Sequence, residues 1–354
     1  MEKEPIMQTV KVEVPVLLIG FNRPDLIKQN IENLRHQHVQ KLYITIDGPR
    51  EGRSDDAANV EAVRNLVKSI DFCSNVHLKI REKNVGCEVN VSEGIAWALE
   101  NEDYVIVLED DVMAHESFFR FMQEMLILYK DDDRIAMVSG CNYTPIPFPN
   151  NEDYCFCQSG HTGGGWATWK RVWGGFSLYE EIDEDFLRMD FLNSVSVSKA
   201  VARRRKRQFK RMLKNGTGNN TWDVMFSYYR ITRHLLSIVP RSHLTSNVGV
   251  VGLHYSGMEK GLMLKIDEDF VVHTHPKFVE WNKDYDLYHF DHYLRESILK
   301  KVFRKLKKET KKIFDMKHLG LFKITPPQTR IVEVWTVNAF LTEGECLINC
   351  RMAA

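Results

Sequence analysis

Three consecutive carboxylates, Glu109, Asp110 and Asp111, follow the apolar run 104–108 in "DYVIVLEDDVMAHESFF". Adjacent anions repel one another, and such a cluster persists where a cation, a helix N-terminus or solvent relieves it. Carboxylates at a strand end can position a divalent ion, and oxygen-only ligation selects a hard one, Mg²⁺ or Mn²⁺. Ions of that kind bridge a protein carboxylate to substrate phosphates, so a nucleotide substrate is a natural fit. The alternative is the solvated start of a helix beginning near Ser117, where acidic residues complement the helix dipole.

Other polar clusters suggest less chemistry. The seven cysteines are an odd number scattered without a framework, which fits a reducing compartment better than a disulfide scaffold. Cys155 and Cys157 in "YCFCQ" have one residue between them and no second pair, so they read as packing thiols and not as a zinc site. The run "RRRKRQFKR" from Arg203 to Arg211 reads as a solvated helix face, with docking to an anionic lipid surface or a charged lipid-linked acceptor as the sharper alternative. A single aromatic, Phe209, lies among those charges, so nucleic acid is not expected. No GxGxxG opens the first helix, which excludes a dinucleotide-dependent dehydrogenase of the usual kind.

The elements that must place these residues follow from period. Apolar residues 16–21 form a strand ended by "NRPD", where Pro24 opens a helix with Ile27, Ile31 and Leu34 on one face. "KLYITIDG" is a strand closed by Gly48 and Pro49, and "DAANVEAVRNLVKSI" carries Val60, Val63, Val67 and Ile70 at helical spacing. "VHLKI", "GCEVNVSEGIAWALE", "YVIVLEDD", "SFFRFMQEMLILY" and "RIAMVSG" continue the alternation. Such a βαβα series predicts an α/β fold with a mostly parallel, doubly wound sheet flanked by helices, whose ligands sit beyond the carboxyl ends of the strands. "FNRPD", Asp47, "REKNVG" and "EDD" should therefore converge on one cleft.

After Cys141 the pattern breaks. "CNYTPIPFPNNEDY" reads as a long loop, "HTGGGWATW" as a Gly-rich turn entering a helix, and "ARRRKRQFKRMLKNGTGNNTWD" as a basic helix ending near Gly216. A second basic helical run begins near Leu299, and the tail after Pro326 has no physical reading. The expected organisation is an extension over 1–14, a main domain over 15–290 (a nucleotide-binding half to about 140 and an acceptor half from 141), and a basic helical extension and tail over 291–354. Lys plus Arg equals Asp plus Glu at 48 each, so any electrostatic attraction is local. The N-terminus lacks the order of a secretory signal, and no uninterrupted apolar run is long enough to span a bilayer. The expectation is a cytoplasmic protein, with contact at the inner face of a membrane as the variant.

Taken together, "LLIGFNRPDLIKQNIENL", "ITIDGPREG", "NVGCEVNVSEGIAWAL", "VLEDDVMAHESFFRFMQEML" and "RIAMVSGCN" resemble the GT-A glycosyltransferases, in particular the N-acetylglucosaminyltransferase family that initiates complex N-glycans and related bacterial nucleotide-diphospho-sugar transferases. The likeness covers roughly residues 15–256. It implies a metal-dependent transfer of sugar from a nucleoside diphosphate donor, a UDP-sugar, to a glycan or lipid-linked acceptor, with inversion, in surface glycan synthesis. Asp111 would be the direct ligand of Mn²⁺ or Mg²⁺, while Asp110 and Glu109 touch the ribose or donor sugar hydroxyls. Arg23 and Asp47 match positions facing the base, and Arg81 and Asn84 lie where a third strand end meets the nucleotide. Read without the resemblance, Arg81 is surface charge, Asn84 a turn former and Asp47 an Asx-type turn.

The resemblance extends downstream. "GGGWATWKRVWGGF" is similar to a Gly-Trp segment in which an aromatic faces the sugar, making Trp166 and Trp169 candidates, although tryptophans at this spacing are also core residues. "NTWDVMFSYY" resembles the segment that supplies the catalytic base, which implies that role for Asp223; the plain alternative is a helix N-cap. Val224 stands where the animal family has a second acidic residue, a departure that bears on acceptor orientation. "SNVGVVGLHYSG" implies that His254 completes the metal shell or binds the diphosphate. His115, His273 and His275 match no motif and read as surface or packing residues. Two rival readings are a sugar-nucleotide pyrophosphorylase, against which "GFNRPD" offers a single glycine after the first strand, and a binding module without turnover.

Overall fold

The computed structural model describes residues 11–144, 146–215, 222–248 and 266–294, together with two strands at 335–342 and 345–352. The chain divides into two compact units, 1–295 and 296–354, against the 290/291 boundary expected from sequence. His254 and the basic run from Leu299 lie outside the described residues.

The first unit opens as the periodicity predicts. Strand β1 (Val16–Gly20) leads to α1 (Pro24–His36), β2 (Lys41–Ile46), α2 (Ser54–Lys68), β3 (Asn75–Ile80), α3 (Cys87–Asn101) and β4 (Tyr104–Glu109). Pro24 sits at the start of α1, where its missing N–H costs nothing, and Ile27, Ile31 and Leu34 face the core from one stripe. A short β5 (Val112–Ala114) precedes α4 (Glu116–Leu128), whose Phe118, Phe119, Met122 and Met125 are fully buried, and β6 (Ile135–Ser139) follows. The supposed extension is already packed from its described start: Val12 and Val14 are buried and Val12 bridges Val39.

Beyond β6 the structure holds strands that period alone did not reveal. β7 (Tyr154–Cys157) lies at the end of the expected long loop, and β8 (Trp166–Trp169) replaces the expected turn before the short α5 (Lys170–Trp173). Four-residue buried runs carry no usable period, and the glycines before Trp166 mask the strand. Then come α6 (Met189–Ser194), α7 (Lys199–Asn215), α8 (Trp222–Thr232), β9 (Leu236–Pro240), β10 (Thr245–Asn247) and α9 (Lys283–His289).

Eight strands form one sheet in the order β3-β2-β1-β4-β8-β6-β9-β7. β3, β2, β1 and β4 are mutually parallel, β8 runs antiparallel between β4 and β6, β9 is parallel to β6, and β7 closes the edge antiparallel. The expected α/β fold with a mostly parallel sheet flanked by helices is therefore present. A second small sheet pairs β10 with β5. In the second unit, β11 (Trp335–Thr342) and β12 (Glu345–Met352) form an antiparallel hairpin in the tail for which the sequence offered no reading. No helix among the described residues is long and apolar enough to cross a membrane.

Candidate active site

The carboxyl ends of β1, β2 and β4 bring three expected segments together. The acidic turn is held from several sides. Asn30 and Asn33, three apart on α1, donate to the backbone oxygens of Asp110 and Ala114, each at 2.8 Å. The Val248 N–H donates to Asp111 O at 2.8 Å as β10 passes antiparallel to β5. A segment remote in sequence thus fixes the backbone of Asp111.

Arg23, just before α1, lies across the carboxylates. Its Nε donates to Asp110 Oδ2 at 3.1 Å, one terminal nitrogen pairs with Asp110 Oδ1, and the other reaches Asp111 Oδ2 at 3.2 Å. Burial works against the Arg23 charge, and the two aspartates outweigh it. Burial also pushes the Asp110 carboxyl up to about 6 despite Arg23, with Asp111 adding to the rise. Glu109 keeps some accessible surface yet lies deep among protein atoms, and that depth, followed by repulsion from Asp111 and Asp110, pushes it up to about 8. Arg23 therefore only partly relieves a negative site.

Asp47, after β2, is buried and shapes the neighbouring loop. One oxygen accepts from the Gly48 and Val85 N–H groups at 2.8 and 2.9 Å, and the other from Asn84 Nδ2 at 2.9 Å and Gly86 N–H at 3.0 Å. Burial raises its pKa, and these N–H groups oppose the rise. Asn84 also donates to Gly48 O at 2.8 Å. A Cβ on Gly48 would stand 2.4 Å from the Lys83 carbonyl carbon, so only glycine allows the two loops to touch. Arg81 turns to α3, donating to Asn90 Oδ1 at 3.0 Å and Glu93 Oε2 at 2.7 Å. Asp47 and Asn84 thus form a hydrogen-bonded unit at the end of β2, while Arg81 is held on α3. Alongside it, Asp56 is fully buried and held down to about 2 by hydrogen bonds from Arg50, which ties the loop after β2 to Asn22 in the loop after β1.

Asp223, exposed in the first turn of α8, comes from the far half of the unit, yet its charge contributes to the rise at Glu109. The thiol of Cys87, at the start of α3, feels Glu109, Asp110, Asp223 and Asp47 together; burial and these four charges push it up to about 12. Cys87 thus lies within electrostatic range of the strand-end carboxylates and of Asp223. Sequence reasoning passed it over, as it did Asn30 and Asn33; a polar residue on the apolar stripe of α1 was the available signal.

Trp166 is corrected by the structure as a sugar-facing residue. It is 1% exposed, stacks on Trp222 with ring centroids 5.7 Å apart, and meets Phe226 at 5.5 Å. Its faces are covered by core aromatics, leaving none for a ligand. Trp169 is equally buried and donates to Leu126 O at 2.9 Å. His275 joins Tyr154 at 2.9 Å and His115 faces Glu268 at 3.7 Å, both in packing or surface roles.

Among the described residues no three His, Cys, Asp or Glu side chains gather as a metal-holding group. A crowded acidic turn with one partly exposed aspartate, Asp111, suits a hard ion that takes most ligands from phosphate and water.

No protein-family model matches the chain, and no curated protein sequence matches it. Solved structures similar to it include a 4-diphosphocytidyl-2C-methyl-D-erythritol synthase from Anaerococcus prevotii, 9% identical with a TM-score of 0.35, covering 73% of this chain and 92% of that one. A UDP-glucose pyrophosphorylase complexed with UDP-glucose is 9% identical with a TM-score of 0.27, covering 47% of this chain and 80% of that one. Mouse xyloside xylosyltransferase 1 in its apo form is 12% identical with a TM-score of 0.29, covering 63% and 84%. Likeness of this size assigns no activity to the chain.

Proposed function

We propose that the protein is a metal-dependent GT-A glycosyltransferase that moves a sugar from a nucleoside diphosphate donor, a UDP-sugar, to an acceptor hydroxyl with inversion, in surface glycan synthesis. The observation supporting this most directly is the acidic turn Glu109, Asp110 and Asp111 at the end of β4, whose charges act on Cys87 together with that of Asp223 from α8. One end of that cluster suits leaving-group stabilisation and the other suits a base.

When bound, Mg²⁺ or Mn²⁺ supplies charge stabilisation for the departing diphosphate. Asp111 is the residue that would hold it, with His254 added by the sequence resemblance. Arg23 orients Asp110 and Asp111, and Glu109 and Asp110 present carboxyl groups to ribose or sugar hydroxyls. Asp47, Asn84 and Arg81 shape the edge that meets the base. Asp223 accepts the acceptor hydroxyl proton as that oxygen attacks the anomeric carbon.

The test is calorimetric titration with a panel of nucleoside diphosphates, with Mn²⁺ and with EDTA, on wild type and Asp111→Asn. Metal-dependent binding of one nucleotide that weakens in the variant supports the reading; no binding under any condition removes it. Pyrophosphate release from a nucleoside triphosphate and a sugar phosphate would assign the protein to the pyrophosphorylase class instead.

A further inference from the structure

A second charged site lies away from the acidic turn. Helices α7, α8 and α9, with the turn at 158–161, enclose a pocket of about 140 Å³ lined by three guanidinium groups, Arg204, Arg205 and Arg230, and one carboxylate, Asp286. Arg204 and Arg205 belong to the basic run expected to be a solvated face; the helix instead turns them inward while Arg203 and Arg207 remain exposed.

Arg230 is 5% exposed. It donates to Ser237 Oγ and, at 3.5 Å, to Gly160 O, while its Nε finds no acceptor among the described residues. Arg205 donates to Val195 O at 2.6 Å, Ser196 Oγ at 3.0 Å and Gln158 Oε1 at 2.9 Å. These acceptors are all neutral. Asp286 spends its oxygens on the N–H groups of Gln158 and Ser159, both at 2.9 Å, and on Trp281 Nε1 at 2.5 Å. Buried cations are ordinarily paired, because removing charge from water is costly. Burial drives both arginines down to about 10, with Asp286 opposing the fall at each and Arg230 adding to it at Arg205, and both stay charged at neutral pH. The pocket thus carries a surplus of positive charge with hydrogen-bond donors to spare.

Size narrows the occupant. Pockets for drug-sized ligands run to roughly 300–1,000 Å³, whereas a liquid water takes about 30 Å³. The space here therefore suits one small oxyanion group and is too small to enclose a whole nucleotide. Guanidinium forks match phosphate and carboxylate oxygens in pairs, and the doubled positive surplus favours the more highly charged phosphate.

We propose that this pocket binds a single phosphate group, held by Arg205 and Arg230 and rimmed by Arg204. The proposal goes beyond the transferase reading and uses none of its residues, so either can fail alone. The phosphate comes either from the free ion or from the phosphorylated end of a larger molecule.

The experiment is thermal denaturation and calorimetry of the full chain with inorganic phosphate, against acetate at matched ionic strength and without divalent ions. Wild type and Asp111→Asn should be stabilised alike by phosphate, and Arg205→Gln should bind it about tenfold more weakly or worse. Should that variant misfold, Arg204→Gln at the rim should weaken binding while leaving the buried bonds of Arg205 and Arg230 intact. Equal affinity in the folded arginine variants, no advantage of phosphate over acetate, or loss of binding in Asp111→Asn would overturn the proposal. Butyl phosphate separates the sources: binding of both compounds supports an esterified phosphate, and binding of inorganic phosphate alone supports the free ion.

Discussion

Arg23 and Asp110 form a two-point ion pair at the end of β1 and β4, with the Asp110 carboxylate almost fully enclosed and Arg23 still reaching Asp111. The pair orders the acidic turn without neutralising it, since Asp110 still titrates above its ordinary range.

Removing the arginine leaves a buried carboxylate without its main counter-charge. Arg23→Gln should destabilise the fold by about 2 kcal/mol at pH 8. Protonating Asp110 replaces the lost partner, so the deficit should shrink at pH 5. Urea denaturation of both proteins at the two pH values measures it; an equal deficit would show that Arg23 acts through packing.

Asp223 is exposed, and Asp223→Asn keeps its size and shape, so the variant should fold normally and bind nucleotide as wild type does. Its transfer rate should fall by roughly 10²–10⁴-fold, the usual contribution of a general base. Single-turnover kinetics with radiolabelled donor would show it. A comparable rate in the variant would reassign Asp223 to the helix start.

Trp166 should behave as a core residue. Trp166→Ala is expected to cost about 3–5 kcal/mol, with Trp166→Phe milder. Donor affinity in the folded Phe variant should match wild type, as calorimetry would reveal. A selective loss of donor binding would restore the tryptophan to the site.

His161 and His289 face each other with Nε2 atoms 3.1 Å apart. Burial lowers His161 to about 3 and His289 to about 4; His289, Arg230 and His243 add to the fall at His161, while Asp286 opposes it and Arg204 adds to it at His289. Both imidazoles stay neutral in the folded protein, whereas in the unfolded chain they protonate near 6.5. Their stabilising contribution is therefore complete above that pH and declines as pH falls toward 4 and 3. Between pH 7.5 and 5.0 the loss should be on the order of 2 kcal/mol per imidazole. The urea midpoint should fall over this range in wild type and less in a His161→Asn, His289→Gln variant.

The first half of the fold, from β1 to β6, was legible because each strand there is bounded by turn residues and each helix has an apolar stripe. The acidic turn was legible for the same reason, as an abrupt change of polarity at a strand end. What escaped were features made by distance in sequence: β8 beside β4, Asn30 and Asn33 reaching under the turn, and Arg205 meeting Arg230. Trp166 misled because a tryptophan after glycines looks the same whether a sugar or Trp222 covers its face.

The antiparallel strand β8 has a bearing on how the protein is made. It sits between β4 and β6 although it leaves the ribosome after both, so until Trp166 arrives those two strands have open edges and no common neighbour. The acidic turn at the tip of β4 therefore gains its final support late in synthesis. A chain cut short ahead of β8 would leave β4 bare on one edge and β6 bare on both, and aggregation is its expected fate.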